Sequence, residues 1–191
     1  MPFSISTFGI VLALSYLLGV FLFWRWGRGE GFSSDDLFDL VLVSSLGALA
    51  GGKLPPLFVE IPSDFFWVGA ILAGATALLI FSSFKRWSFL RVLGLAALAL
   101  SFSEAAAFLG LGLLGEQSLP FATGTALRAV FLYFLNQRTP PGITFFAYLI
   151  LEGVLLYLFN GFLSLALLGA GIIGLIAITV QFKLKRSDDS S

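Results

Sequence analysis

Long apolar stretches alternate with short polar gaps along the whole chain. Seven stretches stand out: Phe8–Trp24, Leu37–Val59, Phe65–Phe84, Val92–Leu114, Leu119–Leu135, Ile143–Phe159 and Phe162–Phe182. A helix needs about 20 apolar residues, at ~1.5 Å each, to cross a ~30 Å hydrocarbon core. The pattern therefore predicts an all-α polytopic membrane protein, a bundle of seven transmembrane helices. Residues 1–186 form one domain in this reading, and 187–191 a polar, disordered tail.

The gaps differ in charge. Arg25 and Arg28 fill the first, Lys85, Arg86 and Arg91 the third, Arg138 the fifth, and Lys183, Lys185 and Arg186 follow the last stretch. The even gaps hold Lys53 as their sole basic residue. By the positive-inside rule the odd gaps and the C-terminus are cytoplasmic and the N-terminus is outside. Nothing basic precedes the first stretch and no small-residue cleavage pattern follows it, so it reads as a span rather than a signal peptide.

Turn residues punctuate the same plan. Gly27-Arg28-Gly29-Glu30-Gly31 is expected to be a short non-helical turn. Ser33, with Asp36 three residues on, caps the second helix. Pro55, Pro56 and Pro62 break the chain in an outer loop from Leu54 to Asp64, and Pro140-Pro141-Gly142 sets the turn into the sixth helix. Gly47 with Gly51, and Ala70 with Gly74, suit close helix–helix approach. No internal repeat is evident.

Composition narrows the chemistry. Charged residues are 12% and mean hydropathy is +0.99, against about a quarter charged in a soluble domain. A net charge of zero gives no reason to expect nucleic acid as a partner. With neither Cys nor His, disulfides, thiolate or imidazole metal sites, and Cys or His catalysis are excluded. No cofactor or metal is expected.

Three charged residues lie deep inside stretches: Glu104, Arg128 and Glu152. Counted along their helices at ~1.5 Å per residue, all three fall near mid-depth. A lone charge there costs about 2.5–3.5 kcal/mol or more, so a shared depth predicts that they meet. Three readings stand: a structural ion cluster pinning helices four to six, a polar site for a lipid headgroup, or separate water-facing charges. They are the candidate catalytic residues.

The opening residues carry a more specific pattern. Thr7-Phe8-Gly9-Ile10 starts a span ending at Trp24-Arg25. After Arg28 to Gly31 comes Phe32-Ser33-Ser34-Asp35-Asp36-Leu37-Phe38-Asp39-Leu40, then Leu46-Gly47-Ala48-Leu49-Ala50-Gly51-Gly52-Lys53-Leu54. This resembles the N-terminal part of bacterial prolipoprotein diacylglyceryl transferases over residues 5 to 54. Lys85-Arg86-Trp87-Ser88-Phe89 is similar to the family's basic-aromatic loop. The resemblance implies a seven-span protein of the bacterial cytoplasmic membrane. It implies a role in lipoprotein biosynthesis, the transfer of a diacylglyceryl group from phosphatidylglycerol to a lipobox Cys. It also implies a phosphatidylglycerol-like phospholipid and a prolipoprotein signal peptide as partners. Gly51, Gly52, Lys53, Gly69 and Glu116 are the positions it suggests for lipid binding.

The departures are chemical. Phe8 stands for the family's Tyr, and Lys53 for an Arg, which weakens bidentate phosphate binding. The family's His-Gly-Gly matches Val68-Gly69-Ala70, so its proposed catalytic His is absent. Its Gly-Arg-x-Gly-Asn-x-x-Asn-Gly-Glu motif matches Ala107 to Glu116 and keeps only glycines and Glu116. Its late Arg and Glu match Leu156 and Asn160. Thiol deprotonation and phosphate departure need a base and fixed cations, and these positions supply neither. The expectation is a divergent family member with degraded or lost catalysis. The alternatives are a non-catalytic phospholipid- or signal-helix-binding membrane protein, or a small transporter.

Overall fold

The computed structural model describes residues 7–54, 67–114, 119–140, 142–160 and 163–188. Among them are seven helices and no strand: α1 (Thr7–Gly29), α2 (Ser34–Lys53), α3 (Trp67–Phe84), α4 (Phe89–Leu113), α5 (Leu119–Asn136), α6 (Ile143–Asn160) and α7 (Leu163–Asp188). Each apolar stretch coincides with one helix. The helices α1 and α4 are long and apolar enough to cross a membrane, and Gly69–Phe84, Ile143–Leu155 and Leu168–Gln181 are shorter apolar runs. Leu113 is 86% exposed and Ile173 70%, and Phe8, Leu14, Leu17 and Phe21 on α1 are also open. The interior is mostly apolar, with Arg128 and several hydroxyls among it, and the outside carries many large apolar side chains as well, more than a soluble domain exposes in one place. These are the surfaces of a membrane protein.

The chain divides into two compact units, Trp24–Val92 and Met1–Phe23 with Leu93–Ser191. In the first, α2 and α3 pack along a seam of small residues. A side chain at Gly51 would collide with the Gly69 carbonyl and the Ala73 methyl, and one at Gly47 would meet Ala77 at 3.0 Å. Gly74 faces Ala48 across the same seam. The small residues therefore permit backbone-to-backbone contact, as their four-residue spacing suggests.

The expected break at Gly27–Gly31 needs correction. Helix α1 continues through Gly29, because Gly27 is where the Leu37 side chain lies, 2.7 Å from a would-be Cβ. The end is a Schellman cap. The Phe32 amide donates to the Gly27 carbonyl and Gly31 to Arg28, both at 3.1 Å, with Gly31 at φ 90°. Ser33 then caps α2, its Oγ accepting from the Asp36 amide at 3.2 Å.

The turn from α3 to α4 has the same construction. Trp87 donates to Ser82 at 2.9 Å and Arg86 to Ser83 at 3.1 Å. Arg86 takes the glycine's place with φ 55°. Ser88 follows as Ser33 does, and Leu37 and Val92 are the equivalent, fully buried residues of the next helices. The two turns clasp each other. Phe32 and Trp87, at equivalent positions, stack with ring centroids 4.3 Å apart. Lys85 pairs with Asp36 at 2.5 Å and Arg91 with Glu30 at 3.5 Å. Glu30 is equivalent to Lys85, and Asp36 to Arg91, so the two ion pairs exchange under a pseudo-twofold relation. One turn is the acidic partner and the other the basic one. This repeat lives in backbone geometry, with little residue identity to reveal it.

In the second unit α4 is the most buried helix, with Leu93, Leu95, Ala97, Leu98, Ser101 and Ala105 enclosed. Helix α1 meets it where Ser103 donates to the Ser15 carbonyl at 2.7 Å. Helix α7 lies against α6, with Gly171 and Gly174 facing Ile150 and Phe146.

Candidate functional site

Three helices each bring polar side chains to one partly buried line at helical spacing, with the Glu104 side chain 32% exposed and that of Glu152 16%. On α4 Glu104 follows Ser101 by three residues, and on α5 Arg128 follows Thr125 by three. On α6 Thr144, Tyr148 and Glu152 recur every fourth residue, which places them on one face. Aromatic contacts fix the antiparallel register of α4 and α5 on either side: Phe102 with Tyr133 at 6.5 Å, and Phe108 with Phe121 at 4.5 Å. Between them Glu104 lies opposite Arg128.

The three charged side chains do meet. The Arg128 side chain is 2% exposed and ion-pairs with both carboxylates, Nη2 with Glu104 Oε2 and Nη1 with Glu152 Oε2. The guanidinium carbon also sits 4.9 Å from the Tyr148 ring centroid. The Tyr148 hydroxyl donates to Glu104 Oε1 at 3.0 Å. Arg128 Nε has no hydrogen-bond partner among the described residues. The nearby hydroxyls turn back on their own helices, Ser101 to Ala97 and Thr125 to Ala122, both at 3.0 Å. Toward the end of α5, Thr144 donates to Asn136 Oδ1 at 3.0 Å.

Tyr148 is the member that sequence reasoning missed. Its signal was its place one helical turn before Glu152, on the face that must carry any partner of Arg128. Chemically, the cluster is a fixed cation held between two carboxylates with a phenol donor. Both terminal nitrogens of Arg128 are occupied from within the protein.

The resemblance-derived positions lie elsewhere. Gly51 and Gly69 meet each other across the α2–α3 seam. Gly52 is buried, and Lys53 is exposed in the last turn of α2. Glu116 lies outside the described residues, as do the Leu54–Asp64 loop beyond Leu54 and the side chains of Val68, Leu156 and Asn160.

No family model matches the chain. Two curated proteins do. The phosphatidylglycerol–prolipoprotein diacylglyceryl transferase of Clostridium tetani is 28% identical over 123 residues, 56% of this chain and 49% of its own length. The corresponding transferase 2 of Clostridium perfringens is 24% identical over 115 residues, 53% of this chain and 45% of its own. These matches support a divergent member of the prolipoprotein diacylglyceryl transferase family. The chain spans about half the length of the curated relatives it matches.

Proposed function

We propose that the chain is a seven-span protein of the bacterial cytoplasmic membrane, N-terminus outside, that binds phospholipid or a prolipoprotein signal helix and has lost diacylglyceryl transfer. The two matched transferases carry the lipid and lipoprotein part of this reading. One observation supports the loss of transfer. The buried cation Arg128 is neutralised by Glu104 and Glu152, so its fork is not presented to a departing phosphate. Val68 stands where the family's base is found, and the chain contains no histidine to replace it.

Complementation tests the proposal. A strain depleted of its own diacylglyceryl transferase should not regain growth when this chain is expressed in its membrane. The purified protein should not transfer a diacylglyceryl group from phosphatidylglycerol to a lipobox peptide, and Val68→His alone should not restore transfer. Phosphatidylglycerol or the signal peptide should nonetheless co-purify with it or protect it from heat. Robust turnover by the unmodified chain overturns the loss of activity. Absence of both turnover and binding overturns the lipid reading.

A further inference from the structure

The turn from α3 to α4 holds an arginine in a backbone conformation that its side chain disfavours. Arg86, with φ 55°, is the one non-glycine residue at positive φ among the described residues. Glycine fills the equivalent position of the other turn, Gly31 at φ 90°. Left-handed backbone at a non-glycine residue persists where the surroundings fix it, and such positions concentrate at functional sites. The Arg86 side chain is exposed. Its neighbours are engaged: Lys85 pairs with Asp36, Arg91 pairs with Glu30, and Arg28 lies 5.3 Å from the Trp24 ring centroid. No ion pair joins the Arg86 guanidinium to another described residue.

The surroundings say what the side chain meets. The apolar run Gly69–Phe84 stops just before it. Phe84 is 83% exposed. Trp87, on the other side, has Phe32 at 4.3 Å and Phe81 at 6.1 Å. Aromatic rings beside basic residues at the end of an apolar helix mark the level of the lipid headgroups. There Phe84 reaches acyl chains and the Arg86 guanidinium reaches the phosphate layer. Its planar fork of donors matches phosphate oxygens. The turn from Phe84 to Ser88 contains no carboxylate; the exposed Asp35 and Asp39 lie on α2.

We propose that the clasped turns present a binding surface for anionic phospholipid, with Arg86 holding the headgroup phosphate. Lys85 and Arg91 close the clasp, and Arg86 is the cation that the turn offers outward. This gives a reason for arginine where glycine would relieve the backbone. The surface rests on the membrane reading of the chain and needs no diacylglyceryl transfer.

Nanodiscs test the proposal. The full chain is placed in phosphatidylcholine alone or with phosphatidylglycerol, and the Tm is compared. Wild type should gain Tm with the anionic lipid. Arg86→Gly should start higher in phosphatidylcholine, because the strain is gone, and gain less from phosphatidylglycerol. Arg86→Gln keeps the strained backbone without the charge, so it should lose the gain with no higher start. Arg86→Lys should recover part of the gain. Phosphatidylglycerol retained in native mass spectra should fall about fivefold without the cation, the weight of one basic residue at an anionic surface. Equal gains for wild type and both uncharged variants overturn the proposal. So does an equal rise in Tm from soluble glycerol phosphate in phosphatidylcholine discs, which would make this a site for free phosphate. Phosphatidylglycerol retained equally by wild type and Arg86→Gly overturns this surface and leaves the lipid reading of the bundle standing. The transfer and complementation results bear on that reading alone.

Discussion

At the residue scale, Arg128 and Arg86 are each held in a costly state for opposite reasons. Arg128 is buried charge made tolerable by two partners. Removing one member of such an assembly leaves the others uncompensated, at about 3–5 kcal/mol. Arg128→Leu should therefore lower stability by that order, measured by denaturant titration or heat in detergent. Glu104→Gln and Glu152→Gln, which leave a balanced pair, should each cost less. Arg86 is exposed, and its cost is conformational. It holds the left-handed position that ends a Schellman cap, with φ 55°, where the equivalent residue of the other turn is Gly31. Left-handed backbone costs a non-glycine residue about 1–2 kcal/mol, partly offset by the greater unfolded-state freedom of glycine. Arg86→Gly should accordingly stabilise by about 0.5–1 kcal/mol, and Gly31→Arg should destabilise. Equal stability for wild type and Arg86→Gly would show that the arginine has a compensating contact.

At the element scale, the two clasped turns carry the pH dependence. Lys85, hydrogen-bonded to Asp36, holds that carboxyl below its ordinary range, and Ser33 adds to the effect. The same hydrogen bond raises Lys85 above its ordinary value. The sign follows for each group. The depressed carboxyl contributes above its unfolded value near 4 and is lost as pH falls further; the raised ammonium contributes below about 10.4 and is lost as pH rises further. The clasp should be strongest between those limits and should weaken with salt, since Lys85 is exposed and Asp36 partly so. Asp36→Lys or Lys85→Asp alone should lower the Tm. The double exchange should recover most of the loss, because the partners swap places. Failure of the double variant to recover would show that Phe32 on Trp87, not charge, holds the turns together. The elements themselves were legible from hydrophobic length, and so was the Ser33 cap. The clasp was not, since a Schellman cap is a backbone hydrogen-bond pattern that arginine can fill as well as glycine. The meeting of Glu104, Arg128 and Glu152 was legible because mid-membrane charge is expensive enough to demand a partner. Tyr148 escaped because a single hydroxyl among apolar residues carries no comparable cost.

At the scale of the whole molecule, the open question is which side of the membrane each turn faces, and two independent lines bear on it. One is charge: nine of the eleven basic residues lie in the odd gaps and the tail, with Lys53 and the buried Arg128 as the others. The second is the clasp. Phe32 stacks on Trp87, and Glu30 and Asp36 pair with Arg91 and Lys85. The first and third gaps must therefore lie on one side of the membrane, whichever side that is. The positive-inside rule predicts that this side is the cytoplasmic one. An even number of crossings separates these two gaps: α2 and α3 either both cross or neither does, and the proposed topology has both cross. The chain has no cysteine of its own, so single introduced thiols report without background. Cysteines replacing Ser34 and Ser187 should be protected from an impermeant thiol reagent in intact cells and become reactive once the membrane is opened. A cysteine replacing Ser63 in the second gap should react in intact cells. Labelling at Ser34 and Ser187 with protection at Ser63 inverts the orientation but keeps the crossings. Opposite behaviour of Ser34 and a cysteine at Ser88 is forbidden by the clasp, and observing it would mean that the two turns do not meet in the membrane.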